Sequence, residues 1–194
     1  SGDMLLVRDI IIKYIQRGIM RYDIANEGYT IAGLEKDVDW QCPISNGRMV
    51  NLSGRADRID RRADGALQII DYKSGSTPHL EYNGMEALFR GGAQERVSNI
   101  FQTMLYSMIL HRKYKLESCP SLYFASKMLN DDYSPLILDR TTGAYVERFS
   151  DISEEFESEL NATLEELFDY STPFRQTEDE DMCKYCDFKK ICRR

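Results

Sequence analysis

Two carboxylates and a lysine stand within one short stretch, Gly54 to Gly75, whose pattern indicates two adjacent strands. Asp57 and Asp71 are separated by a turn at residues 63–65, so a hairpin of this length brings them side by side. Lys73 follows Asp71 by two residues, and the period of a strand places both side chains on one face. Carboxylates suit a hard divalent cation, which polarises a phosphoryl oxygen and lowers the pKa of bound water. The stretch therefore predicts a site for phosphodiester hydrolysis, with a surface hairpin carrying an Asp–Lys ion pair as the alternative.

The elements that must position these residues follow from the apolar pattern. Strands are predicted over residues 29–40, 48–60 and 66–72, with Asn46-Gly47 as a hairpin turn, and together they favour an antiparallel-leaning sheet. Helices are predicted over 4–22, 98–114 and 151–170, further strands over 120–126, 135–138 and 145–149, and a loop with a short helix over 78–92. This order of helices and strands predicts an α/β layer architecture.

Three motifs carry a family resemblance: G-R-A-D-R-I-D from Gly54, I-I-D-Y-K-S-G from Ile69, and Q-x-x-x-Y at Gln102 and Tyr106. Together they resemble the PD-(D/E)XK nuclease superfamily, and more narrowly its RecB-type branch, over roughly residues 33–110. The resemblance implies an α/β restriction-endonuclease-like core, a central mixed sheet flanked by helices. It also implies that Mg²⁺ or Mn²⁺ is held by Asp57 and Asp71 and that Lys73 is the catalytic lysine.

The same resemblance implies roles for three residues outside this hairpin. Gln102 and Tyr106, four apart on one helix face, would line the site and meet substrate phosphates. Glu35 matches an acidic position that the family often has on its first strand. The alternatives are that the Gln–Tyr pair only packs the helix against the sheet, and that Glu35 is an exposed strand residue.

The family's histidine, on a helix upstream of the first strand, has no counterpart in this sequence. His79 and His111 both follow the Asp-x-Lys motif. Either this nuclease lacks that ligand, or the sequence is part of a longer protein, which the first residue, Ser rather than Met, favours. We expect a single nuclease domain over residues 1–194, from the C-terminal part of a longer protein, that binds metal weakly and cleaves poorly by itself.

Three cysteines, Cys183, Cys186 and Cys192, form C-x2-C-x5-C within a C-terminal tail at residues 173–194. In a chain without a secretion signal, clustered thiolates favour zinc or an iron–sulfur cluster over disulfides. Their spacing is similar to that of iron–sulfur nucleases, including AddB-type subunits, which implies a 4Fe–4S cluster whose fourth cysteine lies far upstream. The alternatives are completion by Cys42 or Cys119, and three free thiols on a loosely docked tail.

Composition limits the partners. A net charge of −7 argues against a general polyanion binder, so any nucleic-acid contact must be local. No apolar run approaches the roughly 18 residues of a membrane span, and we expect a cytoplasmic protein with no membrane partner. The expected function is a DNA exonuclease domain of a RecB/AddB-like helicase–nuclease in DNA repair or recombination, with a helicase region feeding it single-stranded DNA. The alternatives are a catalytically silent DNA-binding scaffold and a stand-alone CRISPR-adaptation exonuclease.

Overall fold

The computed structural model describes residues 2–25, 28–45, 47–75, 79–92, 97–130, 132–173, 175–184 and 186–193. Asn46 of the predicted turn and Pro78 of the predicted loop lie outside the described residues. In chain order the elements are α1 (Gly2–Lys13), a π-helical segment (Tyr14–Ile19), α2 (Met20–Ala25), β1 (Thr30–Pro43), β2 (Met49–Arg61), β3 (Leu67–Lys73), β4 (Glu81–Tyr82), α3 (Met85–Arg90), α4 (Ser98–Tyr114), β5 (Ser118–Phe124), β6 (Leu138–Asp139), β7 (Ala144–Tyr145), a 3₁₀ turn (Phe149–Asp151), α5 (Ser153–Leu167) and a second 3₁₀ turn (Glu180–Cys183).

A four-stranded mixed sheet in the order β1-β2-β3-β5 forms the centre of the fold. The first three strands are antiparallel neighbours, whereas β3 and β5 run parallel, so the predicted α/β class and the central mixed sheet are confirmed. Between β2 and β3, Gly65 turns the chain at φ 84°, and the Asp64 carboxylate accepts a 3.0 Å hydrogen bond from the Ala66 N–H. This turn brings the two carboxylate-bearing strands together.

Helix α4 crosses from β3 to β5 and packs on the sheet, with the bounds that its apolar pattern predicts. Ile100, Met104 and Ile109 are fully buried and form the apolar side of the helix. The helix ends where Lys115 adopts a left-handed conformation, φ 56°, and its N–H bonds to the His111 carbonyl. A parallel pair of strands needs such a crossover, so α4 fixes the position of β5 beside β3.

Helix α5 adds a third group of core side chains, but it is shorter than predicted. Phe156, Leu160 and Leu164 are buried as expected, and Phe156 lies edge-on to Phe89 with ring centroids 5.2 Å apart. Leu167 continues the apolar period, but it is 54% exposed at the end of the helix. The apolar period therefore continues beyond the part of the helix that meets the core.

The predictions of strands over residues 135–138 and 145–149 are largely wrong. The observed strands are only the short β6 and β7, which join β4 in a separate three-stranded sheet. Ile137, Val146 and Phe149 are nevertheless buried, and Phe149 belongs to a 3₁₀ turn. A short apolar run has the same pattern in a strand and in a buried irregular segment, which explains the error.

The predicted N-terminal helix is present, interrupted by its π-helical segment. Its first apolar residues do not reach the core, since Leu5, Leu6 and Ile11 are exposed, whereas Ile19 is partly buried against Ile70, Tyr123 and Met128. The first buried residue of this region is Gly18, where an added Cβ would lie 3.1 Å from the Met128 Cβ. Within the described residues, no helix combines the length and the apolar character that crossing a membrane requires.

Candidate active site

The candidate site lies where β2 and β3 cease to pair. Their antiparallel ladder runs from Arg61 opposite Leu67 to Arg58 opposite Ile70. One residue beyond it, the Asp57 Oδ2 accepts a 2.8 Å hydrogen bond from the backbone N–H of Tyr72. The Asp57 side chain thus continues the contact between the strands after their backbone pairing ends, and it is held beside the chain that carries Asp71.

Asp71 and Lys73 form a close ion pair, with the lysine Nζ 2.5 Å from the Asp71 Oδ2. Asp71 is only 3% exposed, and burial raises its pKa. The Lys73 charge acts in the opposite direction, whereas the negative charge of Asp57 raises the Asp71 pKa further. The effect of Asp57 on Asp71 indicates that the two carboxylates share one environment, as the hairpin predicted.

The donor set at this site fits a divalent cation. The buried Asp71 Oδ2 has no well-aligned hydrogen-bond partner despite its contact with Lys73, and only one Asp57 oxygen receives the Tyr72 N–H. Across the described residues, no group of three His, Cys, Asp or Glu side chains is arranged to hold a metal. Two carboxylates with water and phosphate oxygens completing the coordination is nevertheless the arrangement that magnesium commonly takes.

Helix α4 carries the predicted glutamine–tyrosine pair against β2. The Gln102 Nε2 donates a 2.7 Å hydrogen bond to the Tyr106 hydroxyl, so the two residues act as one unit on the helix face. Tyr106 is 5% exposed, and its ring lies on the backbone of β2 at Gly54. A Cβ at Gly54 would stand 2.4 Å from the Tyr106 Cε1, so only glycine admits the ring at this position.

A Gly54→Ala substitution is therefore expected to displace Tyr106 and to lower the free energy of unfolding by about 1–3 kcal/mol, because the added methyl overpacks the contact. The measurement is urea unfolding followed by circular dichroism. Gly75→Ala is the matched control, since no atom lies within 4 Å of a Cβ built there. Equal stability of the two variants would contradict the role given to Gly54.

Comparison with protein families establishes the wider relationship. The family model described as the PD-(D/E)XK nuclease superfamily matches residues 4–193. The chain belongs to this superfamily. Its curated relatives include an ATP-dependent helicase/deoxyribonuclease subunit of Streptococcus pneumoniae (strain Hungary19A-6), which is 40% identical over 78 residues. The exonuclease/helicase subunit RexB of S. pneumoniae serotype 4 matches with the same identity and length. The match spans 34% of this chain and 7% of each relative.

In this superfamily member, Glu35 lies beside the site in the strand register but is exposed. The neighbouring pairs join Leu34 to Arg58 and Lys36 to Ala56, which sets Glu35 level with Asp57. Its φ of 45° is unusual for a residue with a side chain and marks a local distortion of β1. The role of Glu35 stays a prediction, as do those of Gln102 and Tyr106.

The cysteines of the tail form a separate group in the sequence. Cys183, Cys186 and Cys192 are half-buried free thiols, and the Cys186 N–H bonds to the Cys183 carbonyl at 3.2 Å. Cys42 and Cys119 are instead buried in the core, where burial raises the pKa of both thiols. Since thiolates are the metal-binding form, these two are poor candidates to complete the set.

A buried charge network on Arg58 was not predicted from the sequence. Arg58 is 4% exposed and Asp60 is 3% exposed, and their side chains pair at 2.8 Å. The Arg58 Nη1 also donates to Asp23 at 3.0 Å and to the Tyr72 hydroxyl at 3.2 Å, while its guanidinium lies over the Tyr29 ring. The network joins α2, β2 and β3 next to Asp57. The position of Arg58 between two aspartates, Asp57 and Asp60, is the one sequence signal that could have indicated it.

Proposed function

We propose that this chain is a metal-dependent DNA nuclease domain, an exonuclease within a cytoplasmic helicase–nuclease of DNA repair or recombination. The observation that carries the proposal is the convergence of Asp57, Asp71 and Lys73 where the β2–β3 ladder ends. Support for DNA as substrate and for a helicase partner comes from the names of the streptococcal relatives. Since the chain spans about 7% of those proteins, the action of the whole protein on single-stranded DNA is part of the proposal.

Each residue has a distinct task in this proposal. Asp57 and Asp71 hold Mg²⁺ or Mn²⁺, which when bound supplies a Lewis acid for the phosphoryl oxygen and a water of lowered pKa. Lys73, beside Asp71, orients the attacking water and stabilises the charge that develops on the phosphate. Tyr106 accepts its hydrogen bond from Gln102, so its own hydroxyl proton is available to a phosphate oxygen.

We further propose that Cys183, Cys186 and Cys192 ligate a 4Fe–4S cluster with a fourth cysteine in another part of a longer protein. Support comes from the soft thiolate ligands and their C-x2-C-x5-C spacing. The cluster would be structural, because its cysteine ligands belong to the C-terminal tail at residues 173–194 and not to the motifs that carry Asp57, Asp71 and Lys73. Visible absorption of the longer protein prepared anaerobically tests this, and a colourless protein with stoichiometric zinc would contradict it.

The nuclease proposal is tested by cleavage of labelled single-stranded DNA with Mn²⁺ present. Lys73→Met is expected to lower the rate by about 10²–10³-fold, the usual effect of removing a group that stabilises developing charge. Lys113→Met is the matched control, because Lys113 also pairs with a carboxylate, Asp39, at 2.9 Å but lies at the far end of α4. Equal cleavage by both variants, or cleavage that persists in EDTA, would contradict the proposal.

A further inference from the structure

A basic groove runs along the N-terminal helical region. It has a volume of about 500 Å³. The groove is lined by Lys13, Gln16, Arg17, Arg21, Ile24 and Leu129. Among the described residues, its lining combines three cations, one amide and two apolar side chains without an acidic side chain. In a chain with a net charge of −7, such a local excess of positive charge is a distinct electrostatic feature.

The walls of the groove are held in place by contacts on the face of the sheet away from α4. Met128 packs with Ile70 and Tyr123, whereas the neighbouring Ile69 packs on the α4 side. Gly18 approaches Met128 closely, and the Arg21 Nη2 donates a 3.1 Å hydrogen bond to the Asn130 carbonyl. The helix and the segment after β5 thus meet in a fixed arrangement.

The groove is connected to the candidate active site through the same segment. The Ala125 N–H, at the start of the connection that leads to Leu129, bonds to the Lys73 carbonyl at 3.0 Å. Lys73 stands at the end of β3, where the carboxylates meet. The site lies on the opposite face of the sheet from the groove, so a linear ligand would have to pass the end of β3 to reach it.

The spacing of the cations indicates which kind of anionic ligand would fit the groove. Lys13, Arg17 and Arg21 are four residues apart in the sequence, and all three line the same groove. The nearest acids on these helices are engaged elsewhere: Asp9 pairs with Arg8, and Asp23 pairs with the buried Arg58. A single row of cations at regular intervals suits one chain of phosphates rather than a flat anionic surface.

We propose that this groove binds the sugar–phosphate backbone of single-stranded DNA and guides it past the end of β3 to Lys73. The inference rests on the proposed nuclease function, whose substrate it positions. The bond from Arg21 to the Asn130 carbonyl holds this end of the row in place, and Arg17 and Lys13 continue the row toward the N-terminus. Gln16 adds a neutral hydrogen-bond donor between them.

The test is fluorescence anisotropy of a labelled oligothymidylate in EDTA, measured over a range of salt concentrations. The double variant Lys13→Gln/Arg17→Gln is expected to bind several-fold more weakly. The slope of log affinity against log salt should fall by about 0.7 for each lost phosphate contact. The control Lys113→Gln/Arg140→Gln removes the same charge from exposed residues elsewhere and should keep the wild-type slope.

Three outcomes would contradict the proposal that the groove binds DNA. The salt dependence of affinity could be unchanged in the Lys13/Arg17 variant, or the control variant could lose as much affinity. The wild-type protein could also bind anionic vesicles but not the oligonucleotide. Cleavage kinetics with Mn²⁺ separate this proposal from the nuclease function. If the wild type binds DNA through the groove yet never cleaves it, the nuclease proposal is contradicted and the DNA-binding proposal is supported. If the double variant cleaves long single strands with unchanged kcat/KM, the DNA-binding role of the groove is contradicted and the nuclease proposal is supported.

Discussion

An Asp71→Asn variant is expected to lose nuclease activity by at least about a hundredfold and yet to have a more stable metal-free fold than the wild type at neutral pH. Activity falls because an amide replaces one of the two carboxylates that would hold the cation. Stability rises because the wild-type carboxylate is buried, and its ionised form is disfavoured there despite the contact with Lys73. The ionised Asp71 is thus predicted to bind the metal but to lower the stability of the metal-free fold.

The pH dependence gives this prediction a definite sign. Burial raises the Asp71 pKa above its ordinary value of 3.8, so the folded protein binds this proton more tightly than the unfolded chain does. The Asp71 contribution to stability therefore decreases as pH rises from the unfolded pKa through the higher folded pKa. The amide of the variant does not titrate, and its advantage over the wild type should grow over that interval and then stay constant.

Urea unfolding in EDTA at a series of pH values measures this difference. Asp37→Asn is the control with the opposite sign, because the exposed Asp37 pairs with Arg55 at 2.7 Å and its pKa is lowered by that hydrogen bond. That variant should keep full activity and should gain no stability at neutral pH. An Asp71→Asn protein that is less stable than the wild type throughout would contradict the account of the buried carboxylate.

Arg58→Met is expected to lower the free energy of unfolding by about 3–5 kcal/mol, because it leaves the buried Asp60 carboxylate without its partner. Arg55→Met, three residues earlier on the same strand, removes an equally close but exposed pair and should cost no more than about 1 kcal/mol. Thermal or urea unfolding of the two variants is the measurement. Similar losses in both would show that burial of the Arg58 network does not determine its energetic role.

A double variant, Arg58→Met/Asp60→Leu, distinguishes the cost of an orphaned charge from the loss of a stabilising pair. Replacing both members of a buried pair by apolar residues is often neutral or stabilising, so most of the loss should be recovered. Asp23 is the remaining partner, and its side chain is partly exposed and can be hydrated. Recovery of stability without recovery of nuclease activity would indicate that the network also positions Tyr72, whose N–H holds Asp57.

The sequence predicted the core of the fold where local signals were strong. The turn at Gly65 and the apolar run of β3 placed Asp57 near Asp71, and the 3.6-residue period of α4 indicated its bounds. The parallel pairing of β3 with β5 was not predictable in the same way. A strand that meets its neighbour after a crossover has no turn signal that identifies the partner, so only the fold class could be predicted.

The Arg58 network shows a second limit. An arginine is expected to be exposed, and its burial depends on Asp23, which lies 35 residues earlier on a helix. Neither periodicity nor spacing connects these residues, because the contact forms only when α2 docks beside β2. The exposed apolar residues of α1 illustrate the converse case, in which a helical pattern predicts the element but not what covers it.

The position of β3 in the sheet also sets the order in which this chain can fold. Its pairing with β2 closes a short loop, whereas its first pair with β5 joins Leu67 to Ser118 and must wait for α4. Closing the longer loop costs more chain entropy, so we expect the β1–β2–β3 meander to form first. During synthesis, the strand that bears Asp71 and Lys73 is then an unpaired edge until the crossover is complete. In this interval the chain is most exposed to aggregation through that edge.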